Sequence, residues 1–424
     1  MNKLLTAALA AAAGWAAAAG PVRPPAGAGQ FYPPKARDIR ALVDRELAAA
    51  MPEKLSAGAK LVAVLVPHAG LEYSGPVAAR AFALVKKGDF DEVIVVATSH
   101  YKELEGAALY PGAYGTPEGA MPYDETLAKR LLAGSPLIKA NASAHKKETS
   151  IEVEVPFLRR ALGPVPLVGL LMNTQDLETS RQIGRAIAKA SAGRRVLLVA
   201  SSDQSHYPSG GVADAVDGTT LLSLRSMDPA YFWLTNRLLL NRGIPNLAVT
   251  YCGEGAVMAV MEAARAAGAD GARVLGRLNS GDVVSERDYN HVVGYAAVAF
   301  LKGGAAQPDP LTLSPAQKKR LLVAAREVLA AGCRAANVPL SSDAVFDLPA
   351  AVAVRLRAAD GSLRGESAAA RPEESLLEEV VRRTAAAAAG PKPVSADEAA
   401  RLKIELTVRG PSKPPTSAGQ TFSE

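Results

Sequence analysis

Cysteine, histidine and aromatic residues are scarce in this sequence. The 424-residue chain has two cysteines, five histidines and 5% aromatic residues. The two cysteines lie far apart and cannot form the paired-cysteine pattern of a structural zinc site. Cys252 and Cys333 also fall in different predicted domains, so we expect no disulfide between them.

Several familiar catalytic motifs are absent as well. The chain has no Gly-x-Ser-x-Gly element for a serine nucleophile and no glycine-rich phosphate-binding loop. Its net charge is +6, but the basic residues are scattered and form no tract with interleaved aromatic residues. We therefore expect no nucleic-acid partner.

The N-terminus has the composition of a secretory signal peptide. Lys3 precedes an uncharged stretch rich in alanine and leucine, from Leu4 to Ala19, and Pro21 follows. This stretch is too short and too rich in alanine for a spanning helix, and no other stretch is long and apolar enough. We predict a signal peptide over residues 1–20 and no membrane span. The protein is then exported or periplasmic if the signal is used, and cytoplasmic otherwise.

Strand and helix patterns alternate between residues 21 and 302. Apolar runs rich in β-branched residues predict buried parallel strands at Leu61–Val66, Val93–Ala97, Leu167–Leu171 and Val196–Ala200. Helices are predicted at 76–86, 177–191 and 255–267, and further strands at 273–278 and 292–301. This alternation predicts an α/β domain with a sheet covered by helices.

A linker and a smaller domain follow. Residues 303–310 contain glycines and prolines and predict a domain boundary. Helix and strand patterns over residues 311–410 predict an α+β domain, with Ser314 capping its first helix. Residues 411–424 are polar and rich in proline and serine, and we predict that they are disordered.

Polar side chains follow three of the predicted parallel strands. His68 follows the first strand, His100 follows the second, and Asp203 and His206 follow the fourth. Ligands of open α/β sheets bind beside the carboxyl ends of the strands, and parallel strands bring these ends to one edge. We therefore expect the four residues to share one site.

The same residues suit a metal. Two histidines with a carboxylate or a thiolate can form a non-haem metal site; here Asp203 offers the carboxylate and Cys252 the thiolate. Cys252 lies in a loop that enters a helix, and a helix N-terminus lowers the pKa of a thiol. Spacing alone does not choose between these two ligands, and each residue also has an ordinary structural interpretation. His145 and His291 do not follow the strand pattern and are interpreted as surface or structural residues.

Short motifs occur in a fixed order between residues 21 and 301. They are Gly29-Gln30-Phe31-Tyr32-Pro33, Pro67-His68-Ala69-Gly70, Ser99-His100, Ser150-Ile151-Glu152, Ser201-Ser202-Asp203 with His206, Tyr251-Cys252-Gly253 and Val293-Gly294-Tyr295-Ala296. The set resembles the Memo family, called AmmeMemoRadiSam system protein B in bacteria and archaea. No single motif is specific, but the ordered set is.

Memo proteins are similar in fold to class III extradiol dioxygenases, which use non-haem iron. By this resemblance His68, His100 and Cys252 are metal ligands, His206 is the acid/base residue and Asp203 lines the same cleft. A thiolate is a soft ligand, so the expected metal is iron or copper. The resemblance implies a metal-dependent redox or dioxygenase-like enzyme. Two alternatives stay open: a non-catalytic protein that binds a metal, peptide or small molecule in this cleft, and hydrolysis by a metal-activated water.

Two departures from family patterns limit these expectations. The Memo family has a histidine directly before the Ser-Ile-Glu element, where this chain has Thr149. Residues 311–410 resemble part of the AMMECR domain, protein A of the same system, through Leu363-Arg364-Gly365, but Glu366 replaces the cysteine of that pattern. A thiol-dependent role of this domain is therefore not expected. The name of the system implies a functional association with a radical-SAM protein.

Overall fold

The computed structural model describes residues 20–51, 55–283, 288–303, 309–332, 338–410 and 419–424. Nearly all of the predicted signal peptide, Cys333 and most of the predicted linker lie outside the described residues. The chain forms two compact units. Unit 1 comprises the described residues up to Ala213 and from Pro245 to Gly303. Unit 2 comprises Asp214–Ile244 and the described residues from Asp309 onwards.

Strands and helices alternate along most of unit 1. Its strands, over the described residues, are β1 (Val22–Arg23), β2 (Lys60–Val66), β3 (Glu92–Thr98), β4 (Ala107–Leu109), β5 (Ala113–Thr116), β6 (Gly119–Met121), β7 (Ile138–Ala140), β8 (Leu167–Met172), β9 (Val196–Ser201), β10 (Gly271–Asn279) and β11 (Gly294–Lys302). The helices of the same stretch of chain are α1 (Ala36–Ala49), α2 (Leu71–Phe82), α3 (Glu125–Gly134), α4 (Ala142–His145), α5 (Val155–Leu162), α6 (Leu177–Ser191), α7 (Gly210–Leu224), α8 (Pro229–Asn241), α9 (Glu254–Ala266) and α10 (Ser280–Val283).

The central sheet of unit 1 has the strand order β10-β11-β2-β9-β3-β8-β4-β7. The middle strands β2, β9, β3 and β8 run parallel, whereas β11 and β4 pair antiparallel with β2 and β8. Continuous apolar runs explain why these middle strands are largely buried. Helix α9 packs against β3 and β9, and α2 packs against β10 and β11. The prediction of an α/β fold with a helix-covered sheet is confirmed.

Helix α2 begins at Leu71, whereas the sequence predicted a start at Pro76. Its first turn closes on the carbonyl of Gly70, and Pro76 lies inside the helix. A proline there removes one backbone hydrogen bond. Val77 and Phe82 are fully buried in the core of unit 1, and this burial offsets the loss.

Unit 2 contains a second, antiparallel sheet with the order β13-β12-β14-β15. Its strands are β12 (Ala351–Arg357), β13 (Leu363–Ala368), β14 (Lys403–Arg409) and β15 (Gln420–Ser423), and the described helices after residue 308 are α11 (Pro315–Ala330), α12 (Leu376–Ala388) and α13 (Ala396–Ala399). The Ser314 hydroxyl caps α11 and Gln317 completes the capping box. The predicted helix start is therefore confirmed.

The internal segment Asp214–Ile244 belongs to the core of unit 2. Tyr231 lies in the same buried cluster as Leu321 and Val352, and its hydroxyl donates to the carbonyl of Pro349 at 3.2 Å. Arg242 pairs with the buried carboxylate of Asp347. The predicted division at residues 303–310 missed this, because a segment distant in sequence completes the second core.

The described residues 419–424 form a strand where the sequence predicted disorder, and residues 411–418 lie outside the described residues. Strand β15 pairs with β14, and the Gln420 side chain bonds to the main chain of Leu311 and Leu313 at 2.6 and 3.1 Å. The prediction for residues 411–424 is therefore wrong over this strand, because side-chain and ladder bonds fix a polar segment. Within the part of the chain that the structure describes, none of the helices has the length and apolar character needed to cross a bilayer.

Candidate metal centre

His68 and Asp203 are held together at the carboxyl edge of the central sheet. His68 follows β2 and Asp203 follows β9, and these two strands are parallel neighbours. The Asp203 carboxylate accepts hydrogen bonds from the backbone N–H groups of His68, at 2.7 Å, and Ala69, at 3.2 Å. The Asp203 carboxylate therefore fixes the main chain that carries the His68 imidazole.

The His68 ring is oriented by the buried hydroxyl of Ser201. Its Nδ1 lies 2.9 Å from the Ser201 hydroxyl, and Ser201 lies within 2.7 Å of the Ser150 carbonyl and 2.8 Å of a Glu154 carboxylate oxygen. A histidine whose Nδ1 is engaged presents its Nε2 to a ligand. Nε2 of His68 points to the thiol of Cys252, 3.2 Å away.

His100 is oriented by a carboxylate. It follows β3, and Glu148 accepts hydrogen bonds from its backbone N–H at 2.6 Å and from its Nδ1 at 3.0 Å. Glu148 is almost fully buried and also accepts from the backbone N–H groups of Thr149 and Ser150. The His100 ring meets the His68 ring edge to face, with centroids 5.3 Å apart. Nε2 of His100 is thus the nitrogen left for a ligand.

Cys252 is placed by a loop that approaches β9 closely. Its backbone N–H donates to the Asp203 carbonyl at 3.3 Å, and the N–H of Gly253 donates to the Ser202 hydroxyl at 2.8 Å. A Cβ at Gly253 would lie 2.9 Å from the Cβ of Ser202, a distance that real Cβ contacts do not show. Glycine at this position therefore allows the loop to carry the thiol to the sheet edge.

The expected depression of the Cys252 pKa is wrong. Burial, together with the negative charge of Asp203, raises the pKa of the thiol. The residue precedes Gly253, the N-cap of α9, and desolvation outweighs the hydrogen bond with Ser202 that lowers the pKa. A bound cation would reverse this balance, because a coordinating thiol is deprotonated by the metal itself.

His206 enters the site from the segment that follows β9. Isolated bridges to Val249 and Val293 fix its backbone. Its Nε2 is buried and has no hydrogen-bond partner among the described residues. Burial lowers the pKa of His206 despite the opposing charge of Asp203. An unpartnered buried nitrogen is costly unless a ligand or a proton-transfer partner uses it.

The donor atoms of these residues form two overlapping groups. Those of His68, His100 and Cys252 lie within 4.8 Å of one another, and so do those of Asp203, His206 and Cys252. The structure therefore brings all five predicted site residues together. Thr149 lies beside this cluster and contributes its backbone N–H to Glu148, so no imidazole occupies that position.

The pKa values of His68 and His100 are shifted in opposite directions. Burial lowers the pKa of His68, and the nearby His100 lowers it further. Burial also opposes a charge on His100, but the hydrogen bond to Glu148 and the negative charges of Glu148 and Asp203 together outweigh burial and raise the pKa of His100. Burial would raise the pKa of Glu148, but the bond to the His100 ring, the charge of that ring and the backbone N–H bonds from His100 and Ser150 together lower it. Glu148 thus acts as the anionic partner that holds one imidazole.

The remaining two histidines lie apart from the cluster. His145 is buried, with Nδ1 at 2.6 Å from the Tyr114 hydroxyl and Nε2 at 3.0 Å from the Ala108 carbonyl, so both nitrogens are engaged in structure. His291 is exposed. The sequence placed His145 in a charged loop, and the structure shows that it ends the short helix α4.

Sequence reasoning missed Glu148 and Glu154. Glu148 follows Lys146-Lys147, and this run of charges has no periodicity that marks a buried residue. Glu154 is fully buried in a 3-10 turn, one of its oxygens has no partner among the described residues, and burial raises its pKa. A weak signal existed, since both residues flank the Ser150-Ile151-Glu152 motif.

The fold and the cluster together define an α/β protein with His, Cys and Asp donors at the sheet edge that could hold a metal ion. Residues 23–299 match the family described as Memo-like protein. The chain belongs to this family, as its ordered motifs predicted. The match ends before unit 2 continues at residue 309, so the AMMECR resemblance stays a prediction.

Relatives agree with this assignment over the same part of the chain. A MEMO1 family protein of Methanopyrus kandleri is 32% identical over 291 residues, which cover 66% of this chain and 99% of the relative. One from Nitrosopumilus maritimus is 28% identical over 288 residues, covering 66% of this chain and all of the relative. Among solved structures, an uncharacterized protein of Escherichia coli matches with a TM-score of 0.36 and 13% identity, over 56% of this chain and 99% of that one.

Proposed function

We propose that unit 1 binds one iron or copper ion through His68, His100 and Cys252 and uses it in a redox or dioxygenase-like reaction. The main support for this proposal is that two imidazoles and one thiol converge, with donor atoms within 4.8 Å of one another. Each imidazole is also oriented by a buried partner at Nδ1. Such outer partners are what metal-ligating histidines usually have.

The residues fit such an ion. Two ligands of a four-coordinate metal with bonds of about 2.0–2.3 Å lie about 3.5 Å apart. The separation of 3.2 Å between Nε2 of His68 and Sγ of Cys252 is close to this value. A set of two nitrogens and one sulfur favours copper(I) or iron over magnesium or calcium.

Bound iron or copper would supply electron exchange with a substrate or with dioxygen. The protein's own contribution is proton transfer and orientation. His206, with its unpartnered Nε2 beside Asp203 and Cys252, is placed to hold or deliver a proton at the substrate. Asp203 fixes the His68 main chain and supports a positive charge on His206, because its carboxylate attracts the imidazolium.

Exposed tyrosines adjoin two of the three site histidines and support a small molecule or peptide as ligand. Tyr101 follows His100 and Tyr207 follows His206, and both side chains are exposed. Tyr207 has a φ of 73°, which is rare for an aromatic residue, and its ring packs 5.5 Å from the His206 ring. Strained backbone of this kind is concentrated at functional sites.

Elemental analysis tests the metal. The full chain is purified without a chelating tag, loaded anaerobically with Fe(II) or Cu(I), and its metal content is measured. We expect about one ion per chain in the wild type and in the exposed control His291→Ala, and none in His68→Ala/Cys252→Ala. Full metal content in the double variant would disprove the site.

Turnover separates an enzyme from a binding protein. Metal-loaded protein is given catechols and oxygen, and oxygen consumption is followed. The proposal expects consumption that His206→Ala abolishes without removing the metal. Stoichiometric metal binding with no turnover of these substrates would favour the non-catalytic alternative. The replacement of the family histidine by Thr149 also favours that alternative.

A further inference from the structure

We propose that Arg23 is a positioning residue of the metal centre and that the N-terminal segment 22–32 is part of its support. Arg23 acts through Glu148 on His100. The inference rests on the proposed function only for its metal-binding readout. The segment lies far from the site in sequence, and none of its residues was a candidate there.

Arg23 is a buried cation that bonds to three groups of the segment 145–152. Only 2% of the residue is exposed. Nε donates to the His145 carbonyl at 2.6 Å, another nitrogen donates to the Glu148 carbonyl, and a third pairs with the carboxylate of Glu152. A guanidinium can make these bonds at once because its donors diverge in one plane.

Glu152 anchors the N-terminal segment to the same place. Its fully buried carboxylate accepts from the backbone N–H groups of Ala26 and Gly27, both at 2.8 Å, and from the Tyr32 hydroxyl. Arg23 and Glu152 therefore satisfy each other's charge. Breaking a buried pair by removing one partner leaves the other charge uncompensated.

The segment 145–152 in turn holds both predicted histidine ligands. The Glu148 side chain bonds to Nδ1 and the backbone of His100. The Ser150 carbonyl accepts from Ser201, whose hydroxyl meets Nδ1 of His68. If Arg23 loses its bonds to the carbonyls of this segment, Glu148 is free to shift and His100 loses its fixed orientation.

The experiment compares Arg23→Lys with Arg159→Lys in the full chain. Lysine keeps a positive charge near Glu152 but carries its donors on a single nitrogen, so it cannot replace the three diverging nitrogens that reach His145, Glu148 and Glu152. Arg159 is the matched control, because it also donates to two carbonyls, those of Glu118 and Ala120, in the same unit. Hydrogen exchange of the apo protein is followed at the amides of His100, Thr149 and Ser150, which all donate to Glu148.

We expect Arg23→Lys to speed exchange at these amides on the order of tenfold and to weaken Cu(I) binding, measured against a chromophoric chelator, by about tenfold. Arg159→Lys should change neither. If Arg23→Lys fails to fold, Glu152→Gln provides the same two readouts. Exchange at the three amides that does not differ from the wild type overturns the inference.

A double-mutant cycle checks the route through Glu148. Because Arg23 acts through that carboxylate, Arg23→Lys should cost little further Cu(I) affinity in a Glu148→Gln background. Additive losses would overturn the proposed route. A wild type that binds no Cu(I) or Fe(II) would refute the proposed metal function, whereas the exchange result in apo protein would still decide the role of Arg23.

Discussion

The substitution Glu148→Gln is the sharpest test of how His100 is held. One carboxylate oxygen of Glu148 accepts from the backbone of Thr149 and Ser150 and from Nδ1 of His100, and the other accepts from the backbone of His100. Glutamine keeps the shape but has only one oxygen. If the glutamine oxygen takes the position with three donors, its NH2 group faces the backbone N–H of His100. Two donors then face each other, and that hydrogen bond is lost.

The expected magnitudes follow from these four bonds. Losing one hydrogen bond to a charged acceptor costs about 1.5–3 kcal/mol. For a unit of this size the unfolding temperature is therefore expected to fall by roughly 3–12 °C. Loss of an outer partner of a ligating histidine costs about 10–100-fold in metal affinity. This corresponds to about 1.4–2.8 kcal/mol of binding free energy.

The assay measures Cu(I) affinity by chelator competition and unfolding by calorimetry in the same preparations. Glu92→Gln is the control, because Glu92 begins the strand that His100 follows and pairs with Arg194 away from the site. It should lower stability without changing the metal Kd. If Glu148→Gln is destabilised but binds Cu(I) as tightly as the wild type, then His100 is not a ligand oriented by Glu148, and the reasoning is refuted.

Three further predictions concern other parts of the chain. Burial lowers the pKa of His145 from 6.5 to about 3, so the unfolded chain binds a proton that the folded chain excludes, and the free energy of unfolding falls as pH drops from 6.5 towards 3. At pH 5 this loss is about 2 kcal/mol. In denaturant titrations at pH 7 and 5, His145→Gln should therefore lose about 2 kcal/mol less than the wild type. Arg242→Met leaves the buried Asp347 unpaired and should destabilise unit 2 by about 3–5 kcal/mol in calorimetry, and a change below about 1 kcal/mol would contradict the pairing. Cys252→Ser should abolish the sulfur-to-copper absorption of Cu(II)-loaded protein, and its persistence would exclude this thiol as a ligand.

The sequence predicted the site because the physics of parallel strands is simple. Continuous apolar runs marked β2, β3 and β9, and parallel strands place His68, His100 and Asp203 at one edge. The third ligand could not be chosen in this way. Cys252 reaches the edge through a loop whose close approach depends on Gly253, and its pKa is set by burial, which local sequence does not reveal.

Features that depend on tertiary context were missed. The short strands β4, β6 and β7 have three residues each, too few for an alternating pattern to be recognised. Segment Asp214–Ile244 lies between elements of unit 1 in the chain but packs with unit 2, and no local pattern records this. Strand β15 is polar, and its order comes from partners that are distant in sequence.

The path of the chain between the two units has a consequence for its biosynthesis. Segment Asp214–Ile244 leaves the ribosome before any strand of unit 2 has been made. Until translation passes residue 347, Tyr231 has no buried environment and Arg242 has no counter-ion. Cys252, β10 and β11 are synthesised before the strands of unit 2. The metal centre can therefore be completed while the apolar surface of α8 is still exposed. Apolar surface that is exposed in this way makes a nascent chain prone to aggregation until unit 2 is complete.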